Sequence, residues 1–160
     1  MGFTETYKNH TSIFSKTMPT RKMSRREIDD FLEERGAGVL SLTRETDTYA
    51  VPESFGYDGD HLYFQFIYDE DSRKMAFMET TDTVTFTAFT ETPPQSVIVR
   101  GTLERIPADD ELLATEAIAE NSELPTLNVL PDRQFEDLTT EYYRLVPGER
   151  SGRKFGADFV

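Results

Sequence analysis

Residues 51–74 read VPESFGYDGDHLYFQFIYDEDSRK, two runs rich in Val, Tyr and Phe joined by Tyr57-Asp58-Gly59-Asp60. An Asp-Gly pair between apolar-aromatic runs predicts a β-hairpin with a two-residue type I′ turn, in which both central residues take positive φ. Pro52 denies one ladder N–H and therefore belongs at a sheet edge, a bulge, or a point where something other than a strand meets the backbone. Beyond the second arm, Asp69-Glu70-Asp71-Ser72 supplies capping residues for a short helix whose first turn carries Arg73 and Lys74. Free backbone N–H groups, a hydroxyl and two cations then share one small volume, a chemistry that suits a phosphate. The competing reading is that Arg73 and Lys74 only neutralise Asp69, Glu70 and Asp71.

Outward from this stretch the pattern is that of a small β-rich domain. Upstream, Ser24-Arg25-Arg26-Glu27 is a capping box, and Ile28, Phe31 and Leu32 recur at helical spacing before Gly36. Gly38 to Thr43 is a compact strand. Downstream, Met75, Phe77 and Met78 continue the Ser72 helix. Thr83 to Thr90 alternates strictly, with Val84, Phe86 and Ala88 on one face. Glu91-Thr92-Pro93-Pro94 ends it. Ser96 to Ile106 forms a long strand with Gly101 at a bulge or bend. Pro107 to Glu111 opens a helix with acids in its first turn, whose apolar stripe is Leu112, Leu113, Ala117 and Ile118.

Leu124 to Arg133 is a Pro-punctuated connection that covers one barrel end or touches a partner. Glu141 to Val146 is the last strand, and Pro147-Gly148 turns the chain into a tail containing Ser151-Gly152-Arg153-Lys154. Such strands, joined mostly by tight hairpins, imply a mainly β (α+β) fold, a split antiparallel β-barrel with short flanking helices. Residues 1–20 are polar and Thr-rich and read as a mobile N-terminal extension, leaving 21–160 as one barrel domain. At 160 residues, one core burying about 70% of the unfolded surface is expected.

Thirty acidic against 17 basic residues give a net charge of −13, with 5 Lys, 12 Arg and 20 Thr. Few Lys and many carboxylates suit high salt, where screening weakens self-repulsion; an ordinary acidic cytosolic protein is the alternative. Neither nucleic acid nor an anionic membrane is expected as partner, since both require a basic face. Without Cys there are no disulfides, thiolate nucleophiles or thiolate metal sites. No apolar run approaches a transmembrane helix and residues 1–20 lack a signal-peptide core, so a cytoplasmic location is expected. His10 and His61 are the only histidines; they make a poor metal set, and neither has a nucleophile nearby in sequence.

The ordered set Pro52, Ser54-Phe55-Gly56-Tyr57-Asp58-Gly59, Leu62-Tyr63-Phe64-Gln65, Ser72-Arg73-Lys74 and Ser96-Val97-Ile98-Val99-Arg100-Gly101 resembles the FMN-binding split β-barrel proteins related to pyridoxamine 5′-phosphate oxidase, in a haloarchaeal-type version. The resemblance spans roughly Ser24 to Lys154. It implies an FMN-dependent oxidoreductase acting between a reduced nicotinamide or deazaflavin donor and a small-molecule substrate. It also implies a homodimer with flavin at the subunit interface. Carried over residue by residue, it places Ser72, Arg73 and Lys74 on the phosphate, Pro52, Glu53, Ser54 and Phe55 along the ring, Phe64 and Gln65 near the phosphate and ribityl, and Ser96 and Val97 on the neighbouring strand. Many relatives carry His where this chain has Gln65, so no titratable group stands there. No catalytic residue is assigned. A non-catalytic flavin-binding or interaction module, and a deazaflavin F420-dependent reductase on the same fold, are the alternatives.

Overall fold

In the computed structural model, which describes residues 19–127, 129 and 131–156, one antiparallel sheet of eight strands curls into a split barrel. The elements in order are β1 (Thr20–Lys22), α1 (Arg25–Glu33), β2 (Ala37–Arg44), β3 (Asp47–Ser54), β4 (Gly56–Tyr57), β5 (Leu62–Tyr68), α2 (Arg73–Met78), β6 (Val84–Glu91), β7 (Pro94–Arg105), α3 (Glu111–Asn121) and β8 (Thr139–Phe155). Short 3-10 turns at Ala108–Asp110 and Phe135–Asp137 flank α3 and β8. Hydrogen-bonded neighbours run β3-β2-β6-β7-β8-β5-β4, with β1 on β8. The two ends of that order, β3 and β4, are separated in sequence by Phe55 alone. A single residue cannot bridge the two edges of a flat sheet, so the sheet has to close on itself. Phe55 donates its N–H to the Gly36 carbonyl at 3.1 Å and packs its fully buried ring on Phe86, 4.9 Å between centroids.

The Val51–Lys74 stretch forms a hairpin of a different kind from the one its sequence predicts. Only Gly56–Tyr57 pairs with β5, while Asp47–Ser54 pairs with β2 instead. Tyr57 opposite Leu62 encloses a four-residue loop, in which the Asp58 carboxylate accepts from the N–H groups of Asp60 at 2.8 Å and His61 at 2.7 Å. Gly59, at φ 95°, is the loop residue with positive φ. The aspartate side chain organises this turn, so the backbone has no need of the paired left-handed residues of type I′.

Two further expectations are corrected. The last strand does not stop at Val146: β8 runs 17 residues, and Pro147-Gly148 lies inside it. The register against β7 shifts between Arg100 and Gly101, so that Arg100 faces Glu149 and Gly101 faces Pro147, leaving Gly148 as the extra residue of a bulge. A Cβ at Gly101 would lie 2.0 Å from the Val146 carbonyl oxygen, which is why glycine stands there. Arg153 and Lys154 are consequently strand residues paired with β7 and β1 rather than a tail. On α3, Ala114, Ala117 and Ile118 are buried while Leu112 and Leu113 are exposed. The helix lies so close to β4 that a Cβ at Gly56 would sit 2.3 Å from the Ala117 carbonyl carbon. Small residues at that contact replace the leucine stripe.

Other elements form where their sequence places them. Ser24 and Glu27 complete the capping box of α1, whose Ile28, Phe31 and Leu32 enter the core. Val84, Phe86 and Ala88 face inward on β6. The main core gathers these with Leu40, Leu42, Val51, Phe55, Leu62, Phe64, Phe66, Val97, Val99 and Leu145. A smaller cluster of Tyr63, Ile106, Ala114, Ala117 and Ile118 sits on the other side of β5. β5 is therefore covered on both faces. Among the described residues no helix is long and apolar enough to cross a membrane. The expected extension and His10 lie almost wholly outside the described residues.

Because Phe55 both closes the barrel and fills its core, Phe55→Ala is expected to lower unfolding free energy by about 3–5 kcal/mol. Urea unfolding should register this as a lower midpoint with an unchanged slope.

Candidate functional site

The site begins where β5 ends. Ser72 caps α2, its hydroxyl oxygen accepting from the Met75 N–H at 3.3 Å. Successive helical side chains diverge by about 100°, and so Arg73 and Lys74 part company. Arg73 stays exposed, with its guanidinium 5.5 Å from the Tyr49 ring centroid and 6.0 Å from that of Phe77. Lys74 turns into the barrel and is 3% exposed. Its Nζ donates to Glu53 Oε1 at 2.7 Å and stands 4.2 Å above the Phe66 ring.

Glu53 is the unexpected member of this pair. It comes from the edge strand β3, is fully buried, and its Oε2 has no hydrogen-bond partner among the described residues. Gly38 lies opposite it on β2, and the Phe86 ring fills the space that a side chain at Gly38 would take. Burial in these apolar surroundings pushes the Glu53 carboxyl up to about 7, against the pull of the Lys74 charge. A second orphan, the Ser54 hydroxyl, is buried beside it in sequence. Neither Arg73 nor Lys74 pairs with the acidic loop among the described residues. Asp69 is held by Arg133 at 3.1 Å and accepts from the Asp71 N–H at 2.9 Å.

The candidate residues thus divide among three places. Glu53, Phe55, Phe64, Lys74 and Val97 meet in the barrel interior. Pro52, Arg73 and the half-buried Ser96 lie on the outside, with Pro52 on the outer face of an edge strand as its missing N–H requires. Gln65 faces α3, on the side of β5 opposite to Phe64. Its amide donates to the Tyr142 hydroxyl at 2.9 Å and accepts from the Thr126 hydroxyl at 2.8 Å. Gln65 and Tyr142 border a cavity of about 430 Å³ that Thr115, Ile118 and Ser122 also line. A second cavity, of about 380 Å³, opens beside α2 between Met75, Met78, Tyr68, Leu103 and Tyr143. Burial and Glu141 push the Tyr143 phenol up to about 12, so it stays protonated as a donor.

Sequence reasoning placed Glu53 only along the backbone lining of the site. The signal for its real partner was weak: an acid at an inward position of a strand, with one Lys among few in the chain. Tyr142 was missed. It stands directly opposite Gln65 in the β5–β8 register, a pairing 77 residues apart that no local pattern reveals.

Against a phosphate group, the residues present fit in part. The Ser72 hydroxyl and the Arg73 guanidinium stand at the accessible rim, while Lys74, one position behind, is engaged by Glu53. The helix cap and the edge strand of the expected cradle are therefore in contact through that ion pair. Among the described residues no group of three or more His, Asp or Glu is placed to hold a metal.

Comparison with known proteins agrees with this architecture. The FAD-binding protein from Mesorhizobium loti superposes with a TM-score of 0.67 at 19% identity, covering 87% of this chain and 98% of that one. The FAD-binding protein from Mycobacterium smegmatis gives 0.61 at 22% identity, with 85% and 98% covered. The FAD- and heme-binding protein from Mycobacterium smegmatis gives 0.58 at 21% identity, with 84% and 73% covered. At these identities the likeness is one of fold. No curated protein sequence matches. The family model described as pyridoxamine 5′-phosphate oxidase matches residues 24–154. That span runs from the α1 cap to the penultimate residue of β8 and includes every candidate residue, and the chain belongs to the pyridoxamine 5′-phosphate oxidase family.

Proposed function

We propose that this protein is a flavoprotein that binds FMN and acts as an oxidoreductase on a small molecule. The observation that carries the reading is the contact between α2 and β3, which joins the Ser72–Lys74 turn to the Pro52–Phe55 strand inside the family's matched span. FMN would supply the electron transfer that this chain's side chains, poor in nucleophiles and metal ligands, do not offer. Arg73 provides a planar fork for the phosphate and Ser72 a hydroxyl, with Lys74 behind them as a point charge. The backbone of Pro52, Glu53, Ser54 and Phe55 lines the ring with Ser96 on a neighbouring strand; Phe64 and Val97 back that wall from the barrel interior, and Gln65 stands apart on the α3 side of β5. A reduced nicotinamide or deazaflavin is the proposed electron donor. The acidic surface suits a saline cytoplasm.

A homodimer with two equivalent sites belongs to the same proposal, and the outer face of the sheet supports it. Pro52, Val39, Thr87 and Ile98 fall in one cross-strand row of that face. Phe89, one pair along β6, is 63% exposed, and Ile98 is 40% exposed. Apolar residues lying side by side on a pleated surface present a self-complementary patch of the kind a two-fold interface buries.

A second reading, deazaflavin F420 in the same groove, draws on the same anion-binding rim. Absorption spectroscopy of protein purified in high salt separates the readings. The two-band spectrum of an oxidised flavin, with FMN released by acid, is expected. A single violet band would indicate F420, and a colourless protein that takes up no FMN would refute flavin binding and favour an interaction module.

Arg73→Ala is expected to weaken FMN binding by about 10–100-fold, the loss of a charge-assisted hydrogen bond to phosphate, measured by quenching of flavin fluorescence. Unchanged affinity removes Arg73 from the phosphate. For the interface, Ile98→Asp combined with Phe89→Asp should convert a dimer to a monomer in sedimentation velocity, leaving the circular dichroism spectrum unaltered.

A further inference from the structure

The Glu53–Lys74 pair does more than fill the barrel. Lys74 follows the Ser72–Arg73 rim directly in the chain, and in this structure its charge is already claimed by a carboxylate 2.7 Å away. Both side chains are out of water, at 0% and 3% exposure, and the Glu53 Oε2 has no partner. Phosphate and Glu53 are both anions, and Lys74 has one ammonium to share. We propose that Glu53 is an internal competitor for the cation that the phosphate of the flavin requires, so that phosphate binding to Lys74 is coupled to protonation of Glu53. This inference rests on the reading of the Ser72–Lys74 turn as the phosphate site.

The physical reason is the cost of an unpaired buried charge. If Lys74 swings its ammonium toward an incoming phosphate, the carboxylate stays behind fully buried, opposite Gly38 on β2 and with no second donor among the described residues. An ionised carboxylate does not persist in such a site; it takes up a proton. The exchange balances: a paired carboxylate and ammonium, a phosphate dianion and one proton become a neutral carboxylic acid and a paired ammonium and phosphate. Protonated, Glu53 also gains an O–H donor. Its surroundings contain no second titratable partner among the described residues: β2 presents Gly38, and α2 presents Lys74, the one charged group that acts on it. The carboxyl already titrates near neutrality, at about 7, so the proton is available at ordinary pH.

The coupling has a definite sign. Below the Glu53 titration the carboxyl is already neutral, Lys74 is free to turn, and affinity is independent of this group. Above it, each unit of pH makes the proton ten times scarcer, and FMN affinity falls about tenfold per unit. The phosphate's own second ionisation, near pH 6, lies below this window. Riboflavin, which lacks the phosphate, does not draw on Lys74, and its affinity does not follow this titration.

The test is titration of the full-length, flavin-freed protein with FMN and with riboflavin, at several pH values between about 6 and 9, for wild type and Glu53→Gln. Wild type should lose about tenfold in FMN affinity per unit above neutrality, with riboflavin flat. Glu53→Gln should bind FMN with no such slope, about tenfold more tightly than wild type one unit above the titration. Calorimetry on wild type, at a pH at least one unit above the titration and in two buffers of different ionisation enthalpy, should register about one proton taken up per FMN, an independent readout should the variant fold poorly. FMN binding without a slope and without proton uptake overturns the coupling and leaves the flavin site standing. Failure to bind FMN at any pH overturns both.

Discussion

Phe55 is the constraint on which the rest of the structure depends. One residue connects strands at the two ends of the hydrogen-bonded order, and so the sheet can exist only as a closed, split barrel. Closure brings the edge strand β3 to the place where β5 hands over to α2. Ser72, Arg73 and Lys74 are delivered to β3 by that geometry, although 18 residues separate Lys74 from the Phe55–Gly56 corner. The same corner requires Gly56, because α3 presses its backbone against β4. Fold and candidate site are thus set by one tight join, not by separate devices.

Inside the join, electrostatics and packing oppose each other. A helix of six residues presents two adjacent cations in different directions, one to solvent and one to the core. The inward one is tolerated because Glu53 neutralises it and the Phe66 ring face receives it. Replacing such a pair by apolar residues is often neutral or stabilising, so a buried pair is weak evidence of a purely structural role. The pair ties the helix α2 to the edge strand β3.

Much of the architecture was legible in the sequence because the decisive signals are local. The capping box of α1, the Ser72 cap of α2, the alternation of β6 and the glycine of β7 at the register shift each follow from residues a few positions apart. What escaped was nonlocal. Asp58 could organise its loop through its carboxylate or through a left-handed backbone, and only the packed hairpin decides between them. Pro147-Gly148 has the composition of a turn, but the strand continues because β7 accommodates an extra residue opposite Gly101. Lys74 has the spacing of a surface cation, and nothing within the helix announces that its partner lies 21 residues upstream on an edge strand. For the candidate residues, no local pattern carried their division between the barrel interior, its outer face and the α3 side of β5.

The length of β8 also bears on how the protein comes to be folded. It hydrogen-bonds to β7 along one side and to β5 and β1 along the other, yet it is the last of the described strands in chain order. During synthesis the inner faces of β2 to β7 emerge before the strand that joins β7 to β5. Until then both carry open edges and an uncovered aromatic interior. Such a nascent chain is exposed to mispairing until β8 leaves the ribosome, the situation in which holding chaperones matter most.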